Sequence, residues 1–491
     1  MPRLSCATLA RLPGSVRRPA YDPAGLETGI VHLGAGAFHR AHQAVYTDDA
    51  LAAGDRRWGT VGASLRATGT RDALAPQDFL YTLSERDAGG ERLRVIGSLR
   101  DVIVAPENPQ ALIEAMCGPS VRIVSLTVTE KGYCHDPATG ELNEDHPDVR
   151  HDLAHPEMPR SAPGFLAAAL RQRRERGLAP FTVLCCDNLP SNGGTVRKVV
   201  TRLAALMDRE FGHFVEEDVA FPSTMVDRIV PATTDEDRVR IEAALGLGDA
   251  WPVVTEVFSQ WVIEDRFPQG RPDWAATFVN DVAPFEQMKL RLLNGAHSSL
   301  AYLGYLAGHA TVADAMADPA LSAFIARLMD SEVTPTLAVP AGIDVASYKQ
   351  ALLTRFRNPS LPHRTWQIAM DGSQKLPQRL LGTVRDRLGS GTSIACLALG
   401  IAAWMRYVTG IDETGGVIDV RDPLRDELRR RADAAGLDAA RLAPALLGVK
   451  QVFGEDFSQD ARFVTAVTAA LDRLIRFGAR RTLEQFRSEH P

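Results

Sequence analysis

The sequence predicts an α/β chain in two parts, a first half built on a mostly parallel sheet and a second half that is mainly α-helical. Three observations predict it. β-rich runs alternate with helical stretches in the first half, a glycine-spaced strand-to-helix turn stands at residue 34, and alanine- and leucine-rich amphipathic segments dominate after residue 285. A length of 491 residues agrees, being more than one core usually supports. The division is placed between residues 1–284 and 285–491, with Pro284 and the turn-rich stretch 265–274 near the junction.

In chain order, the run Gly29-Ile-Val-His-Leu leads into Gly34-Ala-Gly36-Ala37-Phe38-His39, and a helical pattern follows through Ala50. Glycines at such a turn let the backbone approach a pyrophosphate at a helix start, so a Rossmann-type dinucleotide-binding domain is expected over 1–284. His39 stands where the third glycine of G-x-G-x-x-G would fall. Further β-runs cover 58–65, 121–128 and 181–186, with helices at 109–117 and 164–176. Two of these runs end in polar clusters, Thr129-Glu130-Lys131-Gly132 and Asp187-Asn188, where an open parallel sheet meets its ligand. In the second half, helices are expected over 285–306, 320–329, 393–407, 423–435 and 463–477.

The first of those helices carries the densest chemistry. Lys289-Leu-Arg-Leu-Leu-Asn294-Gly-Ala-His297 places an amine, an amide and an imidazole in nine residues of an apolar run. At about 100° per residue, His297 falls about 80° and Asn294 about 140° from Lys289, so the three line one broad side of a helix. A lysine held among leucines has its charged form disfavoured, which suits a general base. The amide and imidazole can hold a hydroxyl or polarise a carbonyl. This is a metal-free set for moving a hydride to or from a carbon bearing oxygen. A third polar cluster, Arg364 to Arg379, includes Lys375.

Composition bounds the rest. Hydrophobic content of 45% and charged content of 24% are those of an ordinary globular protein. A net charge of −6 argues against nucleic acid and anionic membranes as partners. The longest apolar run, 394–405, is too short to span a bilayer, and no signal peptide is visible. Six scattered cysteines form no C-x-x-C pair, so cytoplasmic residence is expected. A zinc alcohol dehydrogenase is disfavoured because His151 and His155, at i, i+4 spacing, lie in a polar stretch read as a surface loop. No Tyr-x-x-x-Lys helix of a short-chain dehydrogenase is found, and an intact amine/amide/imidazole set disfavours a non-enzymatic sensor.

Taken together, the Gly34 to Gln43 segment, Cys186-Asp-Asn188, Met225-Val-Asp227-Arg228 and the Lys289/Asn294/His297 trio resemble the polyol-specific long-chain dehydrogenases, the mannitol dehydrogenase family. The resemblance runs from Gly29 to about Phe477. It implies a Rossmann-type domain followed by a helical one, and catalysis without metal. It further implies that Lys289 is the catalytic lysine, Asn188 and Asn294 stabilise the oxyanion, His297 binds substrate, and Glu286 belongs to a proton path. Cofactor contacts are expected at Gly34, Gly36, Ala37, Phe38, His39, Arg66 and Asp227.

Within the family, Thr127-Val-Thr-Glu-Lys131-Gly-Tyr-Cys-His-Asp-Pro137, Ala301-Tyr-Leu-Gly-Tyr-Leu-Ala and Thr365-Trp-Gln-Ile-Ala-Met-Asp-Gly-Ser-Gln-Lys-Leu-Pro-Gln-Arg379 are similar to the fructuronate reductase branch. That branch interconverts D-fructuronate and D-mannonate with NAD. Mannitol, arabinitol, tagaturonate and altronate enzymes share the trio and stay open as substrate classes. A hexuronate carboxylate calls for an added cation, with Lys131, Arg364, Lys375 and Arg379 as candidates. NADP also stays open, since Arg66 or Arg71 could receive a 2′-phosphate while Asp72 could serve NAD. The expected partner is a small-molecule hexuronate or polyol, and the expected assembly a monomer or small homo-oligomer.

Overall fold

The computed structural model describes residues 1–136, 139–360 and 363–489, and the chain divides into two units, Met1–Ala283 and Pro284–Pro491. Pro137, the last residue of the Thr127 segment, lies outside the described residues.

The first unit holds strands β1 (Thr28–Leu33), β2 (Gly59–Ser64), β3 (Tyr81–Asp87), β4 (Gly90–Ile96), β5 (Leu99–Val104), β6 (Ile123–Leu126), β7 (Thr182–Cys185), β8 (Thr224–Asp227), β9 (Val253–Glu256), β10 (Gln260–Glu264) and β11 (Thr277–Val279). Five of them form a wholly parallel sheet in the order β5-β2-β1-β6-β7. Alternation sends Val31, Val124 and Val183 to a core with Leu112, Phe165 and Val196 of the covering helices. Ile30, Ile123 and Leu184 face the other way, toward Trp58 and Trp261. Burial on both faces is why these strands read as continuous apolar runs. The chain leaves β1 toward β2 on one side and reaches β6 on the other, so the strand order reverses beside the carboxyl end of β1.

Two three-stranded sheets, β4-β3-β9 and β11-β10-β8, complete the unit and were not expected. Arg228 ties them to the first sheet's helices: its guanidinium donates to the Ala41 carbonyl (2.6 Å), the Glu256 carbonyl (2.8 Å) and Glu85 (2.5 Å). The stretch holding His151 departs from the surface loop expected of it. It is a helix, Pro147–Ala154, with Pro147 at its first turn and Asp148 near its positive end, not a loop.

The second unit is helical. Its centre is helix Ala395–Tyr407, buried on all sides from Cys396 to Tyr407 and packed on helices Ala296–Leu306 and Ala461–Glu489. An all-round apolar helix of that length belongs in a core, which accounts for the apolar run at 394–405. No helix of the described residues is long and apolar enough to cross a membrane.

Helix 285–306 is not regular: Ala283–Met288 gives way to a π-helical segment, Lys289–Gly295, before Ala296–Leu306 resumes. In an i→i+5 turn each residue advances by less than 100°, so the angles reckoned for an α-helix do not hold. Asn294, five residues after Lys289, becomes its neighbour one widened turn on. A second π-helical segment, Pro377–Leu381, lies against the first. Gly295 permits that approach, because a Cβ there would stand 2.7 Å from the Arg379 carbonyl oxygen.

Candidate active site

In the first unit the turn after β1 is stitched to both neighbouring strands. The Gly34 amide donates to the Ala63 carbonyl (2.8 Å), and the Thr127 hydroxyl donates to the Gly34 carbonyl (2.8 Å). Gly34 has φ of +94°, and a Cβ on it would fall 2.1 Å from the Thr127 carbonyl oxygen. Only glycine fits. His39, in the place of a third glycine, is buried and stacks on His32 of β1 at 3.5 Å between ring centroids. That flat stack lets helix Ala37–Ala41 approach the strand without a glycine. Burial holds His39 well below the ordinary imidazole value, and His32 follows at about 3.

The turn opens on a cavity of about 280 Å³ lined by Gly34, Gly36, Arg66, Thr129, Lys131 and Arg160, among others. Four sequence-predicted residues therefore line one cavity: Gly34, Gly36, Arg66 and Lys131. Ala37 and Phe38 head the short helix, and Phe38 stacks on His42. Asp227 lies elsewhere, buried at the end of β8 opposite Gln260.

Asn188 is exposed three residues beyond β7, and the residue before it fixes the local backbone. The Asp187 carboxylate accepts from the Val128 amide (2.8 Å), the Thr129 amide (3.2 Å) and the Tyr133 hydroxyl (2.7 Å). It thus binds the ends of β6 and β7 together and helps hold Thr129 at φ of +67°. Sequence reading placed Asp187 in a polar cluster at a strand end but gave it no role of its own; its signal was a carboxylate two residues after a buried strand. Burial raises it from 3.8 to about 6, against the pull of those three donors. A value above that of the unfolded chain means the folded state holds this proton more tightly. Stability from this group therefore falls as pH rises from about 4 to about 6, by roughly 3 kcal/mol at most, and levels off above. Asp187→Asn removes that slope. The melting-temperature gap between variant and wild type should change by several degrees between pH 4.5 and pH 7, and a constant gap would contradict the assignment.

In the second unit Lys289 and His297 are 7% and 8% exposed, and Asn294 is half-buried. Among the described residues, Asn294 Oδ1, His297 Nε2 and the neighbouring His363 Nδ1 are enclosed without a hydrogen-bond partner. Each such atom costs about 1–3 kcal/mol unless a ligand satisfies it. The His297 ring lies on Phe356 (5.1 Å) and meets His363 edge-on (5.0 Å). Burial first, then the charges of His363, Arg379, Arg355 and Lys375, hold His297 well below its ordinary value. His363 is likewise lowered to about 4, by burial and then Lys375. Both imidazoles are neutral at pH 7.

Of the predicted cations, Lys375 and Arg379 stand in this group. Lys375 Nζ donates to the Met370 carbonyl (2.5 Å), and Arg379 donates to Ser298 (2.9 Å), next to His297. Arg364 is exposed at the head of helix Thr365–Ala369. Glu286 precedes the π-helical segment on Ala283–Met288. Arg355 and His363 were missed because nothing in their local sequence ties them to a site sixty residues earlier.

A parallel sheet with a glycine turn at its switch point, followed by a helical unit bearing a buried lysine, amide and imidazole, defines a Rossmann-type oxidoreductase. Residues 28–276 match the mannitol dehydrogenase Rossmann domain, and residues 281–475 match the mannitol dehydrogenase C-terminal domain. The chain belongs to the mannitol dehydrogenase family of oxidoreductases. It is 50% identical to D-mannonate oxidoreductase of Escherichia coli strain K12 over 95% of this chain and 97% of that one. It is 48% identical to an uncharacterized oxidoreductase, YeiQ, of the same organism over 96% and 97%. Among solved structures, the ternary complex of Pseudomonas fluorescens mannitol 2-dehydrogenase with NAD and D-mannitol is 40% identical. It superposes with a TM-score of 0.92 over 100% of both chains.

Proposed function

We propose that the protein is an NAD-dependent oxidoreductase that interconverts D-fructuronate and D-mannonate. The observation that carries this reading is the pair of enclosed, unpartnered atoms on Asn294 and His297 beside buried Lys289. Such a group is unstable on its own: Asn294 Oδ1 accepts from a ligand hydroxyl, and His297 Nε2 can pair with another ligand hydroxyl.

The first unit fits a dinucleotide, since Gly34 and Gly36 open the turn after β1 onto a cavity beside the strand-order reversal. NAD is the choice supported by the ternary complex of the Pseudomonas fluorescens relative. When bound, the reduced nicotinamide supplies the hydride. Lys289 gives its proton to the carbonyl oxygen as that oxygen becomes an alkoxide, and takes the proton back in the oxidative direction. The amide of Asn294 donates to the developing alkoxide. The resemblance carries the same donor role to Asn188 of the first unit. His297, neutral, holds a substrate hydroxyl, and Glu286 passes the proton onward.

Lys375 and Arg379, whose charges act on His297, support a substrate carrying a carboxylate. Lys375→Ala is expected to raise KM for D-fructuronate about tenfold or more, on the scale of one charge-assisted hydrogen bond, and to change KM for D-fructose far less. Equal KM values for the uronate in variant and wild type would end the carboxylate assignment. A second reading, interconversion of D-mannitol and D-fructose, is favoured by the bound D-mannitol of the Pseudomonas fluorescens relative.

A further inference from the structure

The first-unit cavity is more positive than a dinucleotide's pyrophosphate requires. Arg66, Lys131 and Arg160 all line it, and Asp148 is the one carboxylate among its described lining residues. The three cations are exposed, and among the described residues none forms an ion pair through its side chain. They stand free in a chain whose net charge is −6. Unpaired cations lining one cavity attract a ligand of higher negative charge than two.

Position matters more than number. Arg66 is two residues past the end of β2, where a Ser64–Ala67 turn closes: the Ala67 amide donates to the Ser64 hydroxyl (3.2 Å). In parallel sheets of this type that tip faces the adenosine ribose. An acidic residue there holds the free 2′-hydroxyl, whereas an arginine accommodates a 2′-phosphate. No acid takes the first role here. Asp72 is bound by Arg71 (2.8 Å), and Arg71 is bound in turn by Glu107. That arrangement neutralises Asp72 and leaves Arg66 as the uncommitted guanidinium at the tip. Its planar fork matches a phosphate monoester, which carries close to two negative charges at neutral pH.

We propose that this cavity accepts the 2′-phosphorylated dinucleotide, NADP(H), as well as NAD(H), with Arg66 as the partner of the 2′-phosphate. The inference rests on the dinucleotide reading above but not on the identity of the substrate. Direct binding tests it, with NADH, NADPH, 2′,5′-ADP and 5′-AMP titrated into the full-length protein by calorimetry in the absence of substrate. The Kd for NADPH is expected within about tenfold of that for NADH, with 2′,5′-ADP binding more tightly than 5′-AMP. In Arg66→Ala the ratio of the NADPH to the NADH Kd should rise at least about tenfold, and further in Arg66→Asp, as the loss of one charge-assisted contact predicts. Binding of NADH with no measurable NADPH or 2′,5′-ADP binding would overturn the proposal and leave the oxidoreductase reading intact. So would an equal weakening of both dinucleotides by Arg66→Ala. Binding of neither dinucleotide would overturn both.

Discussion

Lys289→Ala is expected to lower kcat by about 10²- to 10⁴-fold at neutral pH, the range a positioned acid–base group supplies. Dinucleotide affinity should stay within a factor of two, because the glycine turn and its cavity are built wholly from residues of the first unit. Lys289→Met keeps the buried volume of the side chain and separates lost chemistry from lost packing. Both variants should be slow in both directions, since in the proposed mechanism the same amine gives the proton in reduction and takes it in oxidation. Small primary amines added to Lys289→Ala should restore part of the rate, and a purely structural lysine would show no such rescue. Retained kcat in either variant would remove Lys289 from the mechanism.

Asn294→Ala carries the second large effect. Removing one donor aimed at a developing oxyanion costs about 10²- to 10³-fold in kcat. The loss should fall on kcat more than on KM, because the alkoxide charge exists only near the transition state. Asn294→Asp should be at least as impaired, since it replaces a donor by a negative charge facing a second one. Asn188→Ala should match the alanine variant if the two amides share the oxyanion, and their effects should not simply add. A variant at Asn294 that raised KM alone would make it a ground-state contact only.

Much of this was legible in the residues. Strands β1, β2, β6 and β7 announced themselves because a parallel sheet covered on both faces demands unbroken apolar runs, such as Thr182-Val-Leu-Cys185. The glycine turn was legible because a φ of +94° and a 2.1 Å approach leave only one residue type. The two small sheets were not. Strands such as Thr224–Asp227 and Thr277–Val279 are three or four residues long, and pairings such as Leu83 with Val253 join distant parts of the chain. Local pattern carries no information about such pairing.

The candidate site divides the same way. Lys289, Asn294 and His297 stood out as polar groups in an apolar run. Their π-helical setting did not, because periodicity is judged against 100° per residue. The widened turn coincides with a tertiary contact, the close approach of Gly295 to the Arg379 carbonyl. Asp187 was hidden by its neighbour Asn188, and His363 by distance along the chain. The His151 helix was hidden by its polar sequence, although Pro147 stands where a proline can begin a helix.

The most direct test is NADH oxidation followed by absorbance, with D-fructuronate and D-fructose compared in one buffer. A kcat/KM at least about a hundredfold higher for fructuronate is expected, since the competing ketose lacks the carboxylate that Lys375 and Arg379 would pair. Preference for D-fructose would contradict the hexuronate assignment and move the protein to the mannitol branch of its family, with Lys289 and Asn294 keeping their roles.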